Sequence, residues 1–211
     1  MKRMRNFYAP FKMPPNIYHH MNFESVIVSL QFDRVLTKDK VMKILAIDNV
    51  ELSLPTISPS SIPILSYSVL SYEGLLITIF NARLSNKEKT ILQTTLNNTD
   101  LDKINSAISK LYGIGNVVDI PFSVEINAKY TIDYELKRTA EVPFKSRIGY
   151  IFVDFKEGGD LRALDYVLDV RISPYPLDST KTLVQVIYRD KKVERFNEIL
   201  GKIEEFVRSD K

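Results

Sequence analysis

Apolar and polar residues alternate strictly over one long segment, which is the clearest pattern in the chain. The even positions from Phe122 to Leu136 are apolar, and the odd positions from Ser123 to Lys137 are polar. A strand places such classes on opposite faces, whereas a helix would scatter them around its axis. At about 3.3 Å per residue the segment would span roughly 50 Å. We therefore predict that it is bent, bulged or shared between two sheets, with one dry face.

The same alternation predicts a first strand after residues 1–22. Val26, Val28, Leu30 and Phe32 share one face there, with polar residues between them. Further strands are predicted where β-branched and aromatic runs are bounded by Gly, Pro, Asn or Asp. They are Ile64–Tyr72, Leu75–Ala82, Ile148–Phe155, Tyr166–Ile172 and Thr182–Tyr188.

Helical spacing is strongest at the end of the chain, where an apolar stripe runs from Val193 to Val207 and predicts a long amphipathic helix. Ser85 and Glu88 have the spacing of a capping box, which predicts a short helix over the residues that follow. A second helix is expected from Asp100 to the glycines at 113 and 115. These two form a predicted central helix pair. The residues on which they depend are Ile91, Leu92, Leu96, Leu101, Ile104, Ile108 and Leu111; one more helix is expected after Thr37.

The order of these elements predicts an α+β fold, with mainly antiparallel sheet packed by the C-terminal helix and the central helix pair. We divide the chain into an arm (1–22), a first α+β half (23–116) and a second α+β half (117–211). One continuous domain and two similar halves both remain open. The order is also similar to that of helix-grip ligand-binding domains, although no motif supports that likeness.

Composition adds little to this picture except through its absences and its charge layout. The 211 residues include no cysteine, which excludes disulfides and thiolate metal sites. No apolar run reaches the roughly 18 residues of a membrane span, so a cytoplasmic protein without membrane contact is predicted. Many charges and few thermolabile residues are typical of a thermophilic source. The formal net charge is +3.

The positive charge is concentrated in the arm. Four basic residues precede the first acid, Glu24, and without them 25 basic residues stand against 26 acidic ones. Basic residues interleaved with aromatics could neutralise phosphates and stack on bases. The alternative is that the aromatics pack on the protein's own core or on another subunit. The partner-binding or nucleic-acid-binding candidates are Lys2, Arg3, Arg5, Phe7, Tyr8, Phe11, Lys12 and Tyr18.

No convergent catalytic set emerges from the sequence, and no metal site or cofactor is predicted. His19 and His20 are adjacent on the chain, so their side chains would point apart in extended backbone. Asp119, Glu135 and Lys137 match a nuclease-like pattern, but the same triplet recurs by chance in a lysine-rich chain. Asp165 and Asp169 could serve acid–base chemistry, or could pair with Arg171. The glycine pairs at 113/115 and 158/159 fit no phosphate-binding spacing.

The leading hypothesis is therefore a non-enzymatic binding or structural subunit of a larger assembly. Its partner would be another protein or a second copy, and in one version it is an accessory subunit of a ribonucleoprotein. The first alternative is a small apolar-ligand-binding module of helix-grip type, with Tyr130 and Tyr134 lining the pocket. The second alternative is the metal-dependent nuclease.

Overall fold

The structure, a computed structural model, describes residues 21–36, 40, 64–84, 87–118, 120–141, 145–155, 166–191 and 193–209. Within these residues the chain forms strands and two helices. The helices are α1 (Leu101–Val118) and α2 (Arg195–Ser209). The strands are β1 (Met21–Phe32), β2 (Ile64–Tyr72), β3 (Leu75–Leu84), β4 (Lys87–Thr99), β5 (Phe122–Ile132), β6 (Thr139–Glu141), β7 (Lys145–Arg147), β8 (Tyr150–Phe155), β9 (Val167–Pro174) and β10 (Thr182–Asp190).

Eight of these strands form one antiparallel sheet, which confirms the predicted α+β fold. Its order is β2-β3-β4-β1-β5-β10-β9-β8, and β6 and β7 form a separate pair. The topology is symmetric about the central pair, β1 and β5, in which Val28 lies opposite Ile126. In each half of the sequence, the last strand of the sheet pairs with the first: β4 lies beside β1, and β10 lies beside β5. Each half ends in a helix. The predicted boundary at 116/117 lies inside α1.

The hydrophobic core lies between the sheet and the two helices. The face of β5 that was predicted to be dry is buried, with its apolar residues from Val124 to Ile132 at 0% exposure. They form one cluster with the apolar residues of β1, α1 and α2. We call this the helix face of the sheet. The opposite side, which carries Ser25, Ile27 and Asn127 among others, is the outer face.

The short helix predicted from the capping box at Ser85 and Glu88 is wrong. Its residues belong to β4, which pairs with β1 on one side and with β3 on the other. Ser85 itself lies outside the described residues. β-Branched Thr90, Thr94 and Thr95 favour extended backbone, and hydrogen bonding along both edges outweighs the local cap. The central helix pair is therefore a single helix, α1.

Helix α1 begins as predicted but continues further. The Asp100 carboxylate accepts a hydrogen bond from the Lys103 backbone N–H at 2.8 Å, so Asp100 caps the helix. The prediction that Gly113 and Gly115 end the helix is wrong, because α1 runs through both to Val118.

Strand β5 ends at Ile132, four residues before the alternation does. The Tyr134 N–H then donates to the Ile132 carbonyl at 2.8 Å, which turns the chain. On the polar side, Ser123 and Thr131 are buried rather than exposed. The other predicted strands and the C-terminal helix are present with small shifts in their ends. Of the helix predicted after Thr37, only Lys40 is described, with helical backbone, and the other residues lie outside the described residues.

Candidate interaction site

Several of the sequence candidates lie outside the described residues. They are the arm residues Lys2 to Tyr18, the histidines at 19 and 20, and the acids Asp119 and Asp165. Nothing in the structure therefore tests the arm or brings the proposed nuclease triad together.

The acidic candidates that the structure does describe are held in ion pairs. An Arg147 guanidinium nitrogen lies 2.5 Å from a Glu135 carboxylate oxygen. Asp169 pairs with Arg171 on the same strand at 3.1 Å. Over the described residues, no three or more His, Cys, Asp or Glu side chains are grouped so that they could hold a metal ion.

The two candidate pocket tyrosines differ in their surroundings. The Tyr130 ring is buried in the core, 4.9 Å from the ring centroid of Phe23. Burial, with a further contribution from the charge of Glu204, raises the pKa of its phenol above the usual range. Tyr134 is half-buried beyond the end of β5. Tyr130 therefore acts as a core side chain on the helix face.

Basic side chains on the outer face form ion pairs with carboxylates of the same face. Arg189 forms an ion pair with Glu125, and the Gln31 amide donates to the same carboxylate. The hydrogen bond from Lys129, with a nitrogen–oxygen distance of 2.6 Å, lowers the pKa of Glu24. A trough of ≈ 360 Å³ crosses this face, lined by Ser25, Ile27, Asn127, Lys129, Asp169, Arg171, Gln185 and Ile187. Because its cations are paired with carboxylates, the trough is not a surface for polyanions.

The strand β8 exposes apolar side chains on both of its faces. Ile151, Phe152 and Val153 are 70%, 41% and 57% exposed. By its register with β9, β8 directs Phe152 to the helix face and its two neighbours to the outer face. Ile151 and Val153 are therefore neighbours on the outer face and Phe152 is exposed on the helix face, so that exposed apolar side chains are concentrated on this one strand.

The same strand forms one edge of the eight-stranded sheet. β8 pairs with β9, and in the described part of the chain no strand pairs with its other side. Proteins commonly protect such an edge with Lys, Pro or a bulge. The sequence of β8, YIFVDF, has neither Lys nor Pro, and its register with β9 is regular. Its one charged residue is Asp154, which lies on the helix face opposite Leu168, near one end of the strand. Over the described residues, the outer side of β8 therefore has no strand hydrogen-bonded to it.

An apolar groove adjoins this edge on the helix face. It has a volume of ≈ 210 Å³ and runs between α2 and strands β8 and β9. Phe206 of α2 closes one side, with its ring edge-on to Tyr150 and Phe152 at centroid distances of 4.9 and 5.1 Å. The residues lining the groove are Phe152, Leu168, Val170, Ile172, Ile199, Lys202, Ile203 and Phe206. Tyr130 and Tyr134 are not among them.

We call the exposed residues of β8 together with this groove the β8–α2 surface. Sequence reasoning predicted the strand and the helix but missed the surface. An apolar run such as YIFVDF looks the same in a buried strand and in an edge strand. Its position at the sheet edge follows from the topology, which periodicity does not encode.

Comparison with protein-family models and with curated proteins finds no match to this chain. Neither described helix is both long and apolar enough to cross a membrane.

Proposed function

We propose that this protein is a non-catalytic binding subunit that joins a larger assembly through the β8–α2 surface. The observation that carries the proposal is the row of exposed apolar side chains at an open sheet edge, beside an apolar groove. Apolar area stabilises an interface by about 25 cal/mol for each Å² removed from water. A partner strand that pairs with the sheet edge also forms backbone hydrogen bonds, which stabilise the interface further.

The other large apolar residues that are exposed in the described chain lie one to an element or loop, not three in a row. Val35, Leu76, Val117 and Leu177 are 43%, 60%, 47% and 85% exposed, and each belongs to a different element or loop. Single exposed apolar residues are ordinary on protein surfaces. The concentration on β8 distinguishes this strand from the rest of the surface.

The groove alone favours a macromolecular partner over a small apolar ligand. Pockets for drug-sized ligands usually measure roughly 300–1,000 Å³ and enclose most of the ligand. This groove, at ≈ 210 Å³, is smaller and continues into the exposed side chain of Phe152. A side chain of a protein partner fits such a space better than a free ligand does.

If the protein is an accessory subunit of a ribonucleoprotein, its arm rather than its sheet would bind the nucleic acid. The outer face pairs Lys129, Arg171 and Arg189 with carboxylates. The arm residues Lys2, Arg3, Arg5 and Lys12 are the excess cations of the sequence. Four cations that precede the first acid of the chain are suited to neutralising phosphates, and this charge layout supports this version of the proposal.

The proposal is tested by placing charge on β8. In the double variant Ile151→Lys, Val153→Lys, both new ammonium groups would project from exposed positions, so the fold should persist. We expect the wild-type chain in an extract of its source cells to migrate in a particle larger than one chain. The variant should migrate close to its own mass of 24.3 kDa.

The matched control is Leu76→Lys, Leu177→Lys, which adds the same two charges at exposed leucines outside the β8–α2 surface. This control should migrate with the wild type. A wild-type chain that migrates at 24.3 kDa in the extract, or a β8 variant that stays in the larger particle, would overturn the proposal.

A further inference from the structure

We infer that the occupant of the open β8 edge is the β8 strand of a second copy of this chain, paired antiparallel about a two-fold axis. The inference rests on the proposed function, since it names the partner of the same surface. The pairing would join two eight-stranded sheets into one continuous sheet. The support comes from how well the strand complements itself.

The first requirement for self-pairing is that backbone groups and faces match across the axis. In an antiparallel ladder, every second residue directs its N–H and C=O toward the same neighbour. β8 uses one set of these residues toward β9, so the alternate set points outward. If Phe152 lies opposite the partner's Phe152, the two residues of every opposed pair differ in number by an even amount. Each residue therefore lies opposite a residue of its own set. Outward groups then meet outward groups, and each face continues across the axis.

The second requirement is that opposed side chains attract rather than repel. In this register Ile151 lies opposite the partner's Val153 on the outer face, two exposed apolar residues. Tyr150 lies opposite the partner's Asp154, so each carboxylate of the strand lies across from a phenol. Opposed side chains in such pairs are about 4.5–5.5 Å apart at Cβ. No like charges are opposed anywhere in the ladder from Tyr150 to Asp154.

Registers shifted by one rung are less favourable. Moving the axis to Val153 places Asp154 opposite an apolar ring, the partner's Phe152. Moving it to Ile151 places Val153 opposite the partner's Gly149, which precedes the strand. The register centred on Phe152 uses the strand from Tyr150 to Asp154 and places each of the three exposed apolar side chains beside an apolar side chain of the partner.

The groove takes part in the same contact. Because both helix faces lie on one side of the joined sheet, the two Phe152 rings meet near the axis. Each ring already packs edge-on against Phe206 of α2. The two apolar grooves would then be adjacent and shielded from water. This arrangement accounts for the groove and the strand patch as parts of one interface.

Cysteine cross-linking tests the register directly, because the native chain has no cysteine. Opposed residues of an antiparallel pair have Cα atoms about 4.5–5.5 Å apart, within the range that a disulfide bridges. We expect an equimolar mixture of purified Ile151→Cys and Val153→Cys chains to form a mixed disulfide dimer under oxidation by oxidised glutathione. Each variant alone should form several-fold less dimer, as should a Leu177→Cys control.

Cross-linking of either β8 variant alone at the level of the mixture would overturn the inferred register. Equal cross-linking by the Leu177→Cys control would show random collisions and would also overturn it. The purified wild-type chain should have twice the 24.3 kDa chain mass by light scattering, and the double-lysine variant should have the single mass. A monomeric wild-type chain would overturn the second-copy inference. The proposed function would then stand only if the β8 lysines still released the chain from its particle in the extract.

Discussion

Two glycines of α1 show how a residue's neighbours decide its effect on stability. A Cβ built on Gly115 would lie 2.5 Å from Cζ of the Phe122 ring, whereas one built on Gly113 meets nothing within 4 Å. Both glycines have helical backbone, so the sequence reasoning that they end the helix gave them the wrong role. Gly115 permits close packing of α1 on the start of β5, and Gly113 has no such contact.

Substituting these two glycines with alanine should have opposite effects. Gly113→Ala should raise the free energy of unfolding by roughly 0.5–1 kcal/mol, because alanine loses less backbone entropy in a helix. Gly115→Ala should lower the free energy of unfolding by about 1–3 kcal/mol through overpacking against Phe122. Urea unfolding monitored by circular dichroism measures both values. A stabilised Gly115→Ala variant would contradict the packing described at that position.

At the scale of single elements, periodicity predicted well where one face of a strand is buried and the other is polar. The dry face of β5 is the clearest case, since its apolar positions from Val124 to Ile132 are all in the core. β4 was misread because Ser85, Glu88, Ile91 and Leu92 fit a helix start locally. In the sheet, Leu92 faces the helices whereas Ile91 packs with Ala82 and Phe80 on the outer face. A strand that is apolar on both faces lacks the alternation that identifies strands.

The first strand also defines where the arm ends. β1 begins at Met21, which pairs with Ile132 and is buried. A deletion of residues 1–20 removes no residue of the described sheet. If the arm contacts a nucleic acid rather than the core, this deletion should leave the free energy of unfolding close to that of the full chain. A deletion of residues 1–23 also removes the Phe23 ring from Tyr130, and loss of a core phenylalanine typically costs about 3–5 kcal/mol.

The same pair of deletions tests the nucleic-acid version of the proposed function. The full chain should bind a labelled single-stranded RNA in a fluorescence anisotropy titration, with an affinity that falls as salt concentration rises. The chain lacking residues 1–20 should lose most of that affinity while its thermal unfolding stays unchanged. Equal affinity of the two chains for the RNA would show that the arm makes no phosphate contact, and it would contradict this version of the proposed function.

At the scale of the whole molecule, the symmetric order of the sheet places β2 from the first half and β8 from the second half at opposite edges. The sequence suggested two similar α+β halves, and their central pair β1–β5 joins both in one sheet. The position of β8 at an edge could not be predicted, because it depends on long-range pairing rather than on local pattern. The same long-range pairing decides which apolar side chains remain exposed.

The central claim is that β8 is an open edge that a second copy closes. Hydrogen–deuterium exchange at single-amide resolution over residues 150–155 tests it most directly, because a lone edge strand protects only alternate amides. We predict that at micromolar concentration consecutive amides of β8 are protected in the wild-type chain. The double-lysine variant should protect alternate amides only. Alternate protection in the wild type at every concentration would contradict the account.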